Sequence, residues 1–263
     1  MKPGKILRPN KVNKLEKEDL YNKNYYSRGV GNMSDNPVIK LIENLDFSHL
    51  KNNFRKGGLI LEIGCGEGKI SRWLSSYGFK VDAIDISKEA IKIAKKQKSK
   101  VNFIYGDIFG LKRKGNYYNA VFSLHVMEHI KNIDETLKEI CRILRSDGKL
   151  IIRIPNSDSL EAGMAGKNWF HWDEKYHVNH WKYGEFKSLL LKAGFKKVTV
   201  NFKVLEYKQV LLYSFLNKLG INTDNSKTRS RLLPFQIIFV PLSIMLGFLF
   251  KNSGTVEFIA TKN

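Results

Sequence analysis

The chain has 263 residues, with 45 Lys and Arg against 25 Asp and Glu, a formal net charge of +20 and 43% hydrophobic residues. A chain of this size buries a full core and is expected to be one domain with additions, and two cysteines, Cys65 and Cys141, exclude a scaffold stapled by disulfides or zinc and fit a reducing cytosol. The basic balance favours anionic partners such as nucleic acid, phosphorylated metabolites or an acidic membrane, although scattered lysine supplies most of it and arginine, the usual reader of bases and phosphates, is scarce.

Residues 1–34 are polar and rich in lysine and asparagine, and lead into no apolar stretch, so no secretory signal is expected. Tyr25 and Tyr26 interrupt that character. Asn36-Pro37 starts a helix whose apolar face is Val38, Leu41, Ile42 and Leu45.

Leu59 to Ile63 is a short apolar run bounded by turn residues, the pattern of a central parallel strand covered on both faces. Gly64, Gly66 and Gly68 follow at alternate positions, and a helix resumes from Ile70 to Tyr77. Such a loop offers backbone N–H groups to a ligand at a helix N-terminus. The spacing GxGxG departs from the dinucleotide pattern GxGxxG, which lowers the case for a nicotinamide enzyme. Val81 to Asp85 is the next strand, and Asp85 closes it about twenty residues after the loop, where a carboxylate accepts ribose hydroxyls. Ser87 caps a helix through Ala90, Ile91 and Ala94. Val101 to Tyr105 is a third strand, followed by Asp107-Ile108, a carboxylate for an exocyclic amine beside an apolar side chain for a ring.

Tyr118 to Leu124 is the fourth strand and ends in His125-Val126-Met127-Glu128-His129. Asp134 is expected to cap a helix through Leu137, Ile140, Cys141 and Leu144 that stops at Ser146-Asp147-Gly148. Lys149 to Ile154 is the fifth strand. Trp169 to Trp181 then gathers aromatics with His171, His177 and His180, which suggests a cap over an acceptor. The histidine spacing matches no common zinc template, so no metal is expected. Phe186 to Ala193 forms a helix ended by Gly194, and Lys197 to Leu205 returns as a strand. Strand and helix alternate in the way that gives a parallel α/β sheet with right-handed crossovers.

The motifs LEIGCGEG, VDAIDIS, NFIYGDIF, NAVFSLHVMEHI and LRSDGKLIIRIPN resemble, in order, those of the class I S-adenosylmethionine-dependent methyltransferases over about residues 55 to 200. The resemblance implies a Rossmann-like doubly wound sheet, mostly parallel with an antiparallel last strand formed by Thr255 to Ala260. It places the methionine end of the cofactor on Glu62, Gly64, Cys65, Gly66, Gly68 and the backbone of Leu124, the ribose on Asp85 beside Ile86, and the adenine on Asp107 and Ile108. It turns His125 toward the transferred methyl. A histidine there can take a proton from a hydroxyl acceptor, and His177 is the expected acceptor contact in the cap. Tyr25 and Tyr26 either fold over the cofactor or anchor the arm.

Glu128-His129 is similar to the "EH" element of the ubiquinone-biosynthesis O-methyltransferases, and the stretch ending in WKYGEFKSLLLKAGF is similar to methyltransferases linked to surface-polysaccharide and glycolipid assembly. Some quinone enzymes of that group carry an acid where His125 stands and are associated with a divalent metal. The exchange departs from that pattern. Glu128 and His129 are expected to fix the loop by hydrogen bonds to backbone.

Leu232 to Phe250 contains no charge and is close to the length that spans a bilayer, with Lys227, Arg229, Arg231 and Lys251 around it. One crossing would separate the strand at 197–205 from its partner at 255–260. A monotopic attachment to the cytoplasmic membrane is therefore expected, with a homodimer or core packing as the competing readings. The expected organisation is an arm and covering helix at 1–54, a core at 55–206 plus 254–263, and a hydrophobic insertion at 207–253. The expected activity is O-methylation of a small-molecule, glycan or lipid-linked acceptor by a cytoplasmic, peripheral enzyme. Methylation of RNA and a non-catalytic membrane adaptor are the alternatives, and nucleic acid is the less favoured partner because no RNA-binding module is visible.

Overall fold

The computed structural model describes residues 47–169, 171–172, 177–203, 212, 215–221, 245 and 252–263. Its strands are β1 (Leu59–Ile63), β2 (Lys80–Asp85), β3 (Asn102–Tyr105), β4 (Tyr118–Leu124), β5 (Leu144–Pro155), β6 (Phe195–Phe202) and β7 (Thr255–Lys262). They form one sheet in the order β3-β2-β1-β4-β5-β7-β6. β1 pairs in parallel with β2 and β4, whereas β7 runs antiparallel to both β5 and β6. The chain is an α/β protein with a doubly wound, mostly parallel sheet, as the resemblance implied.

Alternation along each strand sends side chains to two covered faces. Leu61, Ile63, Ile84, Val121, Ile152 and Phe258 pack under α3 (Ile133–Ile143) and α5 (Tyr183–Lys192). On the other face Ile60, Val81, Phe122 and Ile151 meet Leu74 of α1 (Lys69–Ser76) and Leu50 and Phe54 of the segment beginning with a helical stretch at 47–53. Ala83 and Phe103 extend this layer to Ile91 and Ala94 of α2 (Lys88–Lys96). Each such aliphatic or aromatic side chain contributes about 1.5–3 kcal/mol on burial. Ser87 accepts from the Ala90 N–H at 3.2 Å as the cap of α2, with Glu89 in its first turn and Lys95 and Lys96 in its last.

Two buried charge clusters stitch the sheet. Asp82 accepts from the Tyr118 hydroxyl at 2.7 Å, Asn102 Nδ2 at 2.9 Å and Arg113 Nη2 at 3.1 Å. Glu257 takes Arg153 Nη2 at 3.0 Å and His49 Nε2 at 2.7 Å, which ties the 47–53 segment to β5 and β7. Burial raises the Glu257 pKa, but His49, Arg153 and Lys203 outweigh it and hold the carboxyl below its usual range.

Several boundaries differ from the sequence expectation. Asn132, not Asp134, occupies the N-cap of α3, and Asp134 and Glu135 lie in its first turn, where they complement the helix dipole. α3 ends at Ile143 because Leu144 already pairs with Tyr118, so Ser146-Asp147-Gly148 turns the chain within β5 before pairing resumes at Lys149. β6 begins two residues earlier than expected and ends at Phe202. Tyr25, Tyr26, the helix expected from Pro37, and Leu232 to Phe250 except Met245 lie outside the described residues. No helix among the described residues is long and apolar enough to cross a membrane.

Candidate active site

From β1 the chain steps outward to β2 and β3, then returns to β4 on the other side of β1. The carboxyl ends of β1 and β4 therefore flank the switch point of the sheet, where open α/β folds bind ligands. The loop after β1 touches all three neighbouring strand ends. The Gly64 and Cys65 N–H groups donate to Ile84 O at 2.8 and 3.0 Å, and the Gly66 N–H donates to Asp85 Oδ2 at 2.8 Å. Gly64 has φ +75°, and a Cβ there would run into Val126 just beyond β4. Gly68 has φ +77°, and a Cβ there would run into the Phe103 ring on β3. Glycine is required at both positions by backbone angle and by space.

Asp85 is buried, and its second oxygen accepts the Ser87 N–H at 2.8 Å. Each carboxylate oxygen keeps lone-pair capacity beyond these bonds, so the group can still accept a diol. Burial raises its pKa, and the Ser87 and Gly66 N–H groups oppose that shift. Glu62 is buried beneath the loop and takes the Ser71 hydroxyl, and burial pushes its pKa up to about 8. Cys65 is also buried, and desolvation raises its thiol well above the usual value, which leaves it an unreactive packing residue.

Asp107 is exposed past β3 and accepts the Gly110 N–H at 2.8 Å. It lines a surface cavity with Tyr105, Gly106 and Arg113. Ile108, expected to pack on a ring, instead lies in the main core with Ile63 and Ile84, because the turn after Asp107 sends it under the sheet. Ile86 and Tyr105 are the exposed apolar side chains at the ends of β2 and β3.

On the far side of the switch point, Leu124 is half-buried and His125 takes φ +55°, a left-handed conformation that a residue with a Cβ adopts only when its surroundings enforce it. Its N–H is held by Arg153 O at 2.9 Å. The 3₁₀ turn Met127–His129 follows, and the 177–180 segment docks on it. Val178 and Asn179 N–H groups both donate to Glu128 O, and Asn179 Nδ2 donates to Ile130 O at 2.8 Å. The loop is thus fixed through the main-chain carbonyl of Glu128.

Its carboxylate does something the sequence did not indicate. Glu128 is 1% exposed, and neither carboxylate oxygen makes a hydrogen bond. Oε1 faces His125 Nδ1 at 3.6 Å and His177 Nε2 at 3.9 Å. Burial works against its charge, yet His125, His129 and His177 together hold its pKa below the ordinary carboxylate value. His177 and His180 each place a ring nitrogen 3.2 Å from His171 O, so the cap histidines share one carbonyl. Burial lowers the His180 pKa.

Asn156 and Glu161 were likewise not singled out by sequence. Asn156 Nδ2 donates to Ser253 O while Oδ1 accepts the Tyr183 N–H, which joins the end of β5 to the approach to β7 and to α5. Glu161 accepts the Gly254 N–H at 2.6 Å, and burial brings its pKa to about 7.

Residues 40–200 match the methyltransferase domain family, and the chain belongs to that family. The cofactor of the family is S-adenosylmethionine. The chain is 29% identical over 126 residues to malonyl-[acyl-carrier protein] O-methyltransferase of Enterobacter lignolyticus, a match covering 48% of this chain and 49% of the relative. It is 34% identical over 101 residues to ubiquinone biosynthesis O-methyltransferase of Rickettsia typhi, covering 37% and 41%. The matches thus span about half the length of these curated relatives or less. Phosphoethanolamine N-methyltransferase 2 of Haemonchus contortus, solved with S-adenosyl-L-methionine, shares the fold at a TM-score of 0.60 and 20% identity, covering 93% of this chain and 59% of that one.

Proposed function

We propose that the protein moves the methyl group of S-adenosylmethionine to a hydroxyl of a lipid-linked, glycan or membrane-proximal small molecule. The observation that carries this reading is the close packing of Gly64 against Val126, which brings the glycine loop beside the turn that holds His125. In this reading Gly64 to Gly68 and Glu62 receive the methionine end, Asp85 and Ile86 the ribose, Asp107 the adenine, and the Leu124 backbone the region near the sulfonium.

Methyl transfer from a sulfonium is an in-line displacement, so alignment and exclusion of water do most of the work. The acceptor hydroxyl loses its proton as its oxygen bonds to the methyl carbon and the carbon–sulfur bond breaks. His125 takes that proton. The Glu128 carboxylate near its Nδ1 orients the ring and leaves Nε2 for the acceptor. In this reading His177 supports the same Glu128 oxygen from the cap segment, at 3.9 Å. The names of the two curated relatives, both O-methyltransferases, support oxygen as the acceptor atom.

Membrane proximity rests on the uncharged stretch Leu232 to Phe250 and the cations around it. β6 and β7 pair within one sheet, so the chain between them leaves and returns on the same side of any bilayer. Attachment in the plane of the membrane fits this, and Phe215, Leu219, Ile221 and Met245 are exposed apolar side chains within the same connection. The connection at 207–253 is then an insertion into a core of 55–206 plus 254–263.

Methyl-labelled cofactor incubated with separated lipid, glycan, small-molecule and RNA fractions tests the assignment. Label in a lipid, glycan or small-molecule fraction is the expected outcome. The charge of +20 favours RNA as a second reading. Label in RNA, with binding that weakens steeply as salt rises, would replace the first reading by that one.

A further inference from the structure

We propose that the cavity at the amino ends of β1, β4 and β5 binds a small soluble phosphorylated molecule through a phosphate or diphosphate group. The cavity has a volume of about 220 Å³, and its lining includes Asn53, Arg55, Asn119, Arg145, Asp147 and Lys149. The glycine loop and His125 follow the carboxyl ends of β1 and β4, so this cavity lies at the opposite pole of the sheet. Its binding of an anion does not rest on methyl transfer.

Of the six arginines among the described residues, four have partners: Arg72 donates to Glu67 O, Arg113 to Asp82, Arg142 to Glu139 and Arg153 to Glu257. The guanidiniums of the other two, Arg55 and Arg145, make no ion pair or hydrogen bond among the described residues, and both line this cavity. Arg55 comes from the approach to β1 and Arg145 from the turn within β5, so the fold brings them together. That turn is tight: Asp147 takes φ +59°, and a Cβ at Gly148 would meet Arg145 O at 2.7 Å.

The remaining polar groups also offer donors. Lys149 is half-buried, and its ammonium takes only the neutral Asn53 Oδ1, at 3.1 Å. Asn119 Oδ1 accepts the Leu59 N–H at 2.9 Å, which leaves its Nδ2 as the donor still to be used. Asp147 is the one carboxylate of the lining, and it forms no ion pair with the three cations. Three positive charges against one negative leave the lining at +2. A monocarboxylate would not balance that charge, whereas a phosphate or diphosphate does, and guanidinium forks match its oxygens two at a time.

The position of the cavity separates two sources of phosphate. Thr255 at the start of β7 pairs with Pro155 at the end of β5, so the connection between β6 and β7 joins the sheet at the pole of the glycine loop. A membrane engaged by that connection lies there, and the cavity faces away from it. The volume equals that of about seven waters at about 30 Å³ each, room for a diphosphate with the rest of its molecule outside.

The test is calorimetric titration of the full chain with inorganic diphosphate at fixed ionic strength, with circular dichroism showing that each variant folds. One site per chain is expected. Arg55→Gln and Arg145→Gln should each weaken it at least tenfold, and Lys138→Gln, which removes one exposed charge elsewhere, by less than twofold. Asp147→Asn keeps a residue that tolerates the left-handed backbone and removes the negative charge, so binding should tighten at least about threefold. S-adenosylhomocysteine should not displace the diphosphate. Absent or multiple binding, equal loss in Lys138→Gln, no gain in Asp147→Asn, or displacement by S-adenosylhomocysteine overturns the site. Binding of phosphatidylglycerol vesicles or an oligouridine RNA, weakened by the two arginine substitutions while diphosphate itself does not bind, overturns the small soluble ligand. Failure of S-adenosylhomocysteine to bind the wild type would count against the methyltransferase reading alone.

Discussion

The two halves of the crevice are built on different principles. On the β1–β3 side the surface is largely main chain: the Gly64–Gly68 loop, two N–H groups on Ile84 O, and two carboxylates, Asp85, already engaged with two backbone donors, and Asp107, engaged with the Gly110 N–H. On the β4–β5 side it is side chains, with Glu128 surrounded by His125, His129 and His177 and a cap segment pinned across it. A backbone cradle recognises what every substrate of the family shares, whereas the imidazole-rich side is free to differ with the acceptor. The lesson is that donor binding and acceptor chemistry should separate under mutation.

The largest expected separation comes from His125. His125→Ala should lower kcat by about 10²–10⁴, the usual contribution of a positioned base, with affinity for S-adenosylmethionine changed by less than about threefold. Equal losses in both quantities would merge the two halves into one. A structural counterpart sits beneath both: Glu257→Ala leaves the buried Arg153 guanidinium without its carboxylate and should cost about 3–5 kcal/mol in a denaturant titration. Gly64→Ala strains the left-handed backbone and drives a Cβ into Val126, with an expected cost of about 1–3 kcal/mol and weakened cofactor binding. Adding Val126→Ala should recover the steric part of that loss, and no recovery would mean that the two loops do not press on each other.

A smaller effect concerns protons. Glu62 titrates at about 8 in the folded chain against 4.5 ordinarily, so between those values the native state holds a proton that the unfolded state has released. Its contribution makes stability fall as pH rises from 4.5 toward 8. Glu62→Gln should flatten that slope. A cationic ligand group favours the ionised carboxylate, so wild-type cofactor binding at neutral pH should release protons, seen as a dependence of the calorimetric enthalpy on buffer ionisation heat. The smallest expected change is Ser87→Ala, which removes the cap of α2 at about 1 kcal/mol.

The backbone-built half was largely legible in the sequence. Apolar runs bounded by turn residues gave β1 to β4 within one residue, and the alternate glycines marked the loop, because both signals are local. The side-chain half was not. Nothing near Glu128 in the sequence indicates that His177, 49 positions on, folds back onto its carboxylate. The early start of β5 had the same origin: Leu144 leaves its helix to pair with Tyr118, a tertiary contact that periodicity cannot show. Ile108 was misread because an apolar residue after a strand end can face the ligand or the core, and only the turn decides.

The proposed donor site rests on three strand ends offering one ligand a glycine loop and two acidic side chains. Calorimetric titration of S-adenosylhomocysteine into the wild type and into Asp85→Ala addresses this most directly. One site in the wild type, with affinity lowered at least about a hundredfold in a variant that keeps its circular dichroism, is the predicted result, since a buried carboxylate that accepts two ligand hydroxyls contributes about 3 kcal/mol. Equal affinity in the two proteins would contradict it.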